Sequence, residues 1–194
     1  MDVQTKARLG SSTVSVPRLG LGTAPLGGWP AAVSDEEGAA TVRRAHERGI
    51  RYFDTAPFYG FGNSERHIGA GLAQVPREDF VLSTKVGRLL KPGRAEDSLY
   101  QGVPDLTPVF DFSGEGIRRS LEASRERLGF ERIDIALIHD PEDHHDEALD
   151  TAFPTLAEMR AEGAIGAIGV GMNWSEPLAR FAKEAEFDCF LLAG

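Results

Sequence analysis

The sequence predicts an α/β fold built on a parallel sheet, and three features point to it. Strand and helix signals alternate along most of the 194 residues. The strand segments are short and apolar without polar alternation, as expected when both sheet faces are covered. Helix-length crossovers separate them, and only parallel strands need such crossovers. A composition of 41% hydrophobic and 26% charged residues supports a packed core and excludes wholesale disorder, collagen and a disulfide scaffold.

Residues 5–16 alternate around Gly10-Ser11-Ser12 and read as a hairpin closed by Pro17. The βα rhythm then begins. Leu19–Gly22 is its first strand. Ser34 and Asp35 cap a helix running through Arg48, and Gly49 ends it. Ile50–Phe53 is the second strand, Asn63 or Ser64 opens a helix to about Ala73, and Phe80–Lys85 is the third strand. Val86–Phe112 reads as a long irregular connection. Such connections are uncommon unless functional. It carries Leu89, Leu90, Leu99, Tyr100, Val109 and Phe110 and leaves directly after Lys85, so it is expected to form a substrate wall or lid.

Ser113 caps a helix whose Ile117, Leu121 and Leu128 keep helical spacing, with Gly129 at its end. Ile133–Ile138 is the fourth strand. A helix over about Glu147–Ala161 precedes Gly163, and Ala164–Val170 is the fifth strand. Ser175 caps a last helix to about Ala185, before the sixth strand, Phe187–Leu192. No repeat beyond this rhythm, no low-complexity tract and no linker interrupts residues 1–194, which read as one domain.

The formal net charge of -9 argues against a general nucleic-acid or anionic-membrane binder, since both need basic surface. A small anionic cofactor needs only a local site and stays compatible. The single cysteine, Cys189, has no disulfide partner and sits in an apolar run, so it reads as a small buried hydrophobe. The N-terminus has no apolar signal region, and no apolar run approaches the roughly 20 residues needed to span a bilayer. A cytoplasmic setting is the expectation.

A parallel sheet of this kind either stays open and doubly wound or closes into a (β/α)8 (TIM) barrel. The dinucleotide-binding open sheet needs GxGxxG between its first strand and helix. Gly20-Leu21-Gly22-Thr23-Ala24-Pro25 offers GxGxxP, and Gly27, Gly28 and Pro30 prolong a loop where that helix should start. In barrels, chemistry collects at the strand C-termini. Thr23 follows the first strand here. Asp54, Thr55 and Tyr59 follow the second, Lys85 ends the third, His139 follows the fourth and Asn173 the fifth. Each has a bland reading alone, as a turn cap, a solvated strand end or a satisfied loop histidine. All on one rim, they point to a site.

Their chemistry fits together. A tyrosine is a poor proton carrier at neutral pH, and a neighbouring cation lowers its pKa. Lys85 supplies that cation, Asp54 can hold the ammonium, and His139 can donate a hydrogen bond to an oxygen in the pocket. The set suits carbonyl reduction, with Tyr59 protonating oxygen. No side chain supplies a hydride, so a cofactor must.

At these residues the sequence resembles the aldo-keto reductase superfamily. The matching segments are Arg18-Leu19-Gly20-Leu21-Gly22-Thr23, Gly49-Ile50-Arg51-Tyr52-Phe53-Asp54-Thr55-Ala56, Tyr59-Gly60, Ser64-Glu65, Ser83-Thr84-Lys85, Ser120-Leu121-Glu122, Arg127-Leu128-Gly129, Asp134-Ile135 with His139, and Gly169-Val170-Gly171-Met172-Asn173-Trp174. FDTAPFYG, LSTKVGRLL, DFSGEGIRRSLE and RIDIALIHDPED look like its aldose 1-dehydrogenase branch. The resemblance implies a barrel enzyme using NAD or NADP on a small sugar or aldehyde, with Asp54, Tyr59, Lys85 and His139 as a catalytic tetrad. It also implies that Asn173 holds the nicotinamide carboxamide and that Thr23 and Asp54 lie near the nicotinamide ribose. Met172 departs from the serine common in other branches, leaving that contact unassigned.

A barrel of this type has eight strands and about 250 residues. The chain stops inside or just after the sixth, so a barrel lacking its last two βα units is expected. Those units carry most pyrophosphate and adenosine contacts in the family. A catalytically inert truncated relative or a binding subunit is the alternative from another class. A lower one is a metal-dependent barrel hydrolase using the acidic, histidine-rich run His139–Glu147. Adjacent histidines lack the spacing of a preformed site, so no metal is expected and the run reads as a solvated loop entering a helix N-terminus.

Overall fold

The computed structural model describes residues 5–95 and 98–193. A hairpin of β1 (Lys6–Arg8) and β2 (Ser15–Pro17) comes first, then β3 (Leu21–Gly22) and a 3-10 turn (Ala24–Gly27). The chain continues through α1 (Asp35–Glu47), β4 (Tyr52–Asp54), α2 (Asn63–Leu72), β5 (Val81–Val86), β6 (Arg88–Pro92), β7 (Leu106–Phe110) and α3 (Gly114–Leu128). There follow β8 (Ile133–His139), α4 (His145–Glu147), a π-helical turn (Ala148–Ala152), α5 (Phe153–Ala161), β9 (Ile165–Met172), α6 (Ser175–Glu184) and β10 (Cys189–Leu192).

Six strands form one parallel sheet in the order β10-β9-β8-β5-β4-β3, so each βα unit adds its strand beside the last. The sheet has two apolar faces. Phe53, Leu82, Ala136, Ile138 and Ile168 pack with Val42, Ile68, Leu72, Leu121 and Leu156 of the surrounding helices. Tyr52, Ile135, Leu137, Ala167 and Leu191 gather on the other face with Leu9, Val14 and Val16 of the β1–β2 region. The hairpin thus plugs the N-terminal end of the strands. Asp188 fastens it there: its carboxylate accepts from Ser12 N, Ile168 N and Arg160 Nη1.

Local signals explain the element ends. Ser34 and Glu37 form a reciprocal capping box on α1. Ser113 accepts from Gly116 N to cap α3, and Gly129 ends that helix in the left-handed region at φ 71°. Pro17 does close the hairpin, as the last residue of β2, paired with Lys6. Several expectations need correction. The first parallel strand is only Leu21–Gly22, and the second starts at Tyr52 rather than Ile50. Ser175 does not cap α6; Trp174 occupies that position without a side-chain cap. The helix expected from about Glu147 starts at His145 and passes through the π turn. Cys189 is half-buried rather than buried, and burial with the nearby Asp188 and Asp54 charges pushes its thiol up to about 12.

Val86–Phe112 is not irregular. β6 and β7 pair as an antiparallel ribbon with Leu90 opposite Pro108. A two-stranded ribbon tolerates proline because its outer edge needs no N–H donor. The ribbon's tip docks on the loop after β3: Gln101 N donates to Gly28 O at 2.8 Å and Gln101 Nε2 to Pro30 O at 2.7 Å. Among the described residues, no helix is long and apolar enough to cross a membrane.

Glu65, the third residue of α2, is fully buried and joins three elements. It accepts from Thr84 Oγ1 of β5 at 2.7 Å and from Arg127 Nε of α3 at 2.5 Å. Removing one partner of such a pair leaves an uncompensated buried charge. Arg127→Met should therefore lower unfolding free energy in urea by about 3–5 kcal/mol. A loss below about 1 kcal/mol, the range of surface pairs, would show that water reaches Glu65.

Candidate active site

The C-terminal ends of the strands deliver one polar group after another to a single cavity of about 340 Å³. Its walls include Tyr59, Lys85, His139, Asp140, Met172 and Asn173, together with Phe58, Leu99 and Tyr100. Lys85 is central. On β5 the two-residue period of a strand puts Ser83 and Lys85 on one face and Thr84 on the other, toward Glu65. Lys85 is 1% exposed, so its charge must be satisfied by the protein. Its Nζ donates to Asp54 Oδ2 at 2.7 Å and to Thr55 O at 2.9 Å. The other Asp54 oxygen accepts from Ser83 Oγ at 2.6 Å, and Ser83 lies 3.1 Å from the Tyr52 hydroxyl. Burial opposes the Lys85 charge, but Asp54 and Tyr59 outweigh it, so the ammonium holds its proton more tightly than a free lysine.

Tyr59 sits in a tight turn between β4 and α2, with Tyr59 N donating to Ala56 O and Gly62 N to Pro57 O. The next residue, Gly60, has φ 62°, and a Cβ there would lie 2.0 Å from Gly27 O. Only glycine fits, and the contact presses the Tyr59 turn against the loop after β3. The Lys85 ammonium lies 4.8 Å from the Tyr59 ring centroid. The sequence predicts a lowered tyrosine pKa. The structure corrects this: burial raises it, and Lys85 offsets only part of that rise. The phenol is therefore protonated at neutral pH.

The His139 ring stands perpendicular to that of Tyr59, with centroids 5.8 Å apart. Burial, then Lys85 and Arg88, hold its pKa well below the ordinary value, so the imidazole is neutral. Its Nδ1 is buried without a partner among the described residues. A neutral ring beside a protonated phenol places no further charge beside Lys85.

The structure thus brings Asp54, Tyr59, Lys85 and His139 together, with Asp54 behind Lys85 rather than on the cavity wall. Asn173 is exposed on the rim, its Nδ2 3.4 Å from Asp140 Oδ1. Thr23 is not brought to the cavity: it is fully buried, its hydroxyl donates to Asp54 O at 2.8 Å, and Ser64 Oγ lies 2.7 Å away. Leu89 does not line the cavity either, whereas Leu99 and Tyr100 of the ribbon connection do. In the acidic run, His144 pairs with Glu147 and His145 with Glu184, so the two rings face different partners. Among the described residues, no three metal-ligating side chains converge.

Sequence reasoning missed Ser83, Phe58, Arg88 and Asp140. Ser83 was findable, since it is two residues before Lys85 on a strand. Arg88 was not, because its place depends on the ribbon folding back.

The cavity wall also includes Gly171, Met172, Leu191 and Ala193, next to Asn173. Small and apolar residues beside an amide suit a heteroaromatic ring that carries a carboxamide.

The "Aldo/keto reductase family" profile matches residues 18–191. The chain is 44% identical to D-threo-aldose 1-dehydrogenase of a Pseudomonas species, over 98% of this chain and 60% of that protein. It is 39% identical to pyridoxal 4-dehydrogenase of Microbacterium luteolum, over 97% and 61%. The chain therefore spans about three-fifths of the length of these curated relatives. The holo form of an aldo-keto reductase from Bacillus halodurans superposes with a TM-score of 0.78 at 26% identity, over 98% of this chain and 58% of that one. A Klebsiella pneumoniae aldo-keto reductase in complex with NADPH superposes at 0.67 and 25% identity, over 94% and 55%. The chain belongs to the aldo/keto reductase family.

His139 carries a pH signature. Its folded pKa lies below the ordinary 6.5, so on acidification the unfolded chain takes the proton first. Its neutral form is fully accommodated above about pH 6.5, and stability is lost as pH falls below that. Between about pH 7 and pH 5, the melting temperature should fall more steeply in the wild type than in His139→Gln. Parallel curves would show that His139 is solvated enough to titrate normally.

Proposed function

We propose that this member of the aldo/keto reductase family is an NAD(P)-dependent oxidoreductase acting in the cytoplasm. It interconverts an aldose, or another aldehyde or ketone, with its oxidised or reduced partner, and Tyr59 is the general acid–base. The observation that carries this reading is the fully buried Lys85 ammonium, held by Asp54 at 2.7 Å and lying against the Tyr59 ring. A buried cation is costly for a structural role alone. Beside a phenol it has a chemical use, because it stabilises the phenolate that forms when Tyr59 gives up its proton.

In the reducing direction, Tyr59 donates its proton to the carbonyl oxygen as negative charge develops there. His139, neutral, hydrogen-bonds the same oxygen and orients it, as preorganised donors do at a developing oxyanion. Lys85 stabilises the tyrosinate that remains. In the oxidising direction Tyr59 must first lose its proton and then takes the hydroxyl proton of the alcohol. Gly171, Met172 and Asn173 would line the place of a nicotinamide, which when bound would supply the hydride donor or acceptor that no side chain here provides. Asn173 would hold its carboxamide. Asp54 and Thr23 act behind the cavity, through Lys85 and through the backbone of Asp54. Phe58, Leu99 and Tyr100 narrow the substrate side.

Tyr59→Phe keeps the ring and removes the proton. It should lower kcat by about 10²–10⁴-fold while cofactor affinity barely changes. Retention of more than half the turnover, with chemistry rate-limiting, would assign the proton transfer elsewhere. Lys85→Met removes the group that pulls the Tyr59 pKa down. Alcohol oxidation should rise with pH, and in this variant the rise should move to higher pH along with a loss of kcat. A pH–rate profile decides: an unshifted limb would mean that Lys85 does not couple to the titrating group.

A further inference from the structure

Beside the tetrad lies a second charged pair that the chemistry above leaves unused. Asp140 follows His139 and takes φ 47°, in the left-handed region that non-glycine residues rarely adopt. Its backbone N donates to Gly171 O at 2.9 Å, which fixes the residue at the end of β8. Its carboxylate lines the cavity, with Oδ2 3.5 Å from His139 Nε2. On the far side, Arg88 Nη2 hydrogen-bonds Asp140 Oδ2. The Arg88 guanidinium is clamped between two aromatic rings, 4.4 Å from the Phe58 centroid and 4.5 Å from that of Phe110. Arg88 opens the ribbon and Phe58 precedes Tyr59. One side chain thus ties the ribbon, the Tyr59 turn and the residue after His139.

Arg88 occupies Oδ2, so Oδ1 is the oxygen with acceptor capacity to spare. Among the described residues, the one side-chain hydrogen bond to Oδ1 is the long one from Asn173 Nδ2, at 3.4 Å. An oxygen held by Tyr59 and His139 would place the neighbouring carbon of the substrate toward Asp140. We propose that Asp140 is a specificity-determining residue that accepts a hydrogen bond from the hydroxyl next to the reacting carbonyl, and that Arg88 is the positioning residue that holds its carboxylate there. The preferred substrates are then α-hydroxy carbonyl compounds. This inference rests on the oxidoreductase reading of the same cavity. Burial raises the Asp140 pKa, and the Arg88 guanidinium offsets part of that rise.

The test compares lactaldehyde with propanal, which differ by that one hydroxyl, in the intact protein with nicotinamide cofactor. In the wild type, kcat/KM should favour lactaldehyde by about tenfold or more, as expected for one charge-assisted hydrogen bond. Asp140→Asn should collapse that ratio toward one. Arg88→Met should lower it as well, while Arg88→Lys retains part of it. A thermal melt of each variant separates misfolding from lost selectivity, and the wild-type ratio alone tests the hydroxyl preference if no variant folds. A wild type that does not discriminate between the two aldehydes, or an Asp140→Asn that loses activity on both equally, overturns the role of Asp140 and leaves the oxidoreductase reading standing. A wild type inactive on every carbonyl and alcohol tried overturns both.

Discussion

One positive charge on the curled parallel sheet organises this site. Lys85 reaches the cavity only by giving up nearly all its contact with water, and an isolated ammonium in that position would lose its proton or unfold the region. The surroundings are built to prevent this. Asp54, on the neighbouring strand, faces Lys85, and Ser83 donates to the remaining carboxylate oxygen. Thr55 contributes a backbone carbonyl. The strand register makes this possible: Asp54 pairs with Ser83 across β4 and β5, so an acid, a hydroxyl and an amine meet at one level. The field of that charge then acts on both neighbours in useful directions. It offsets part of the rise in the Tyr59 pKa and helps keep His139 neutral.

Around this centre, loops are held by close backbone approach more than by regular structure. The Tyr59 turn meets the loop after β3 at Gly27 and Gly60, with no room for a Cβ on either side. The ribbon tip hydrogen-bonds the same loop through Gln101. Behind the turn, buried Glu65 links α2 to Thr84 of β5 and Arg127 of α3. The phenol is thus positioned from three directions, which suits a group whose proton must travel along one line. The Arg88–Asp140 pair adds a fourth tie, from the ribbon to the end of β8.

Much of this was legible in the residues. Apolar strands without alternation, Ser34 with Asp35, Ser113, Gly49 and Gly129 announced a βα rhythm, because capping and periodicity are local properties. Asp54, Tyr59, Lys85, His139 and Asn173 could be gathered on one rim because every parallel strand points its C-terminal end the same way. Local reasoning failed where distant segments decide. Pro92 and Pro108 look like breakers until each lies on a ribbon that needs no donor on its outer edge. Thr23 looks like a rim residue, yet Ser64 and the Asp54 carbonyl claim its hydroxyl. The sign of the Tyr59 shift depends on how much water the assembled walls exclude, and the composition of the neighbouring segments does not specify that.

The sequence by itself determined the order of the βα units, the parallel sheet and the identity of the groups at the strand ends, since these follow from hydrophobic period, caps and chain direction. Only the tertiary structure decided that Asp54 and Ser83 lock Lys85, that His139 stays neutral, and that Arg88 comes from the ribbon to hold Asp140. Those outcomes depend on burial and on contacts between residues up to 52 positions apart. Burial and long-range contact arise only when the strands have curled together and water has been excluded between them.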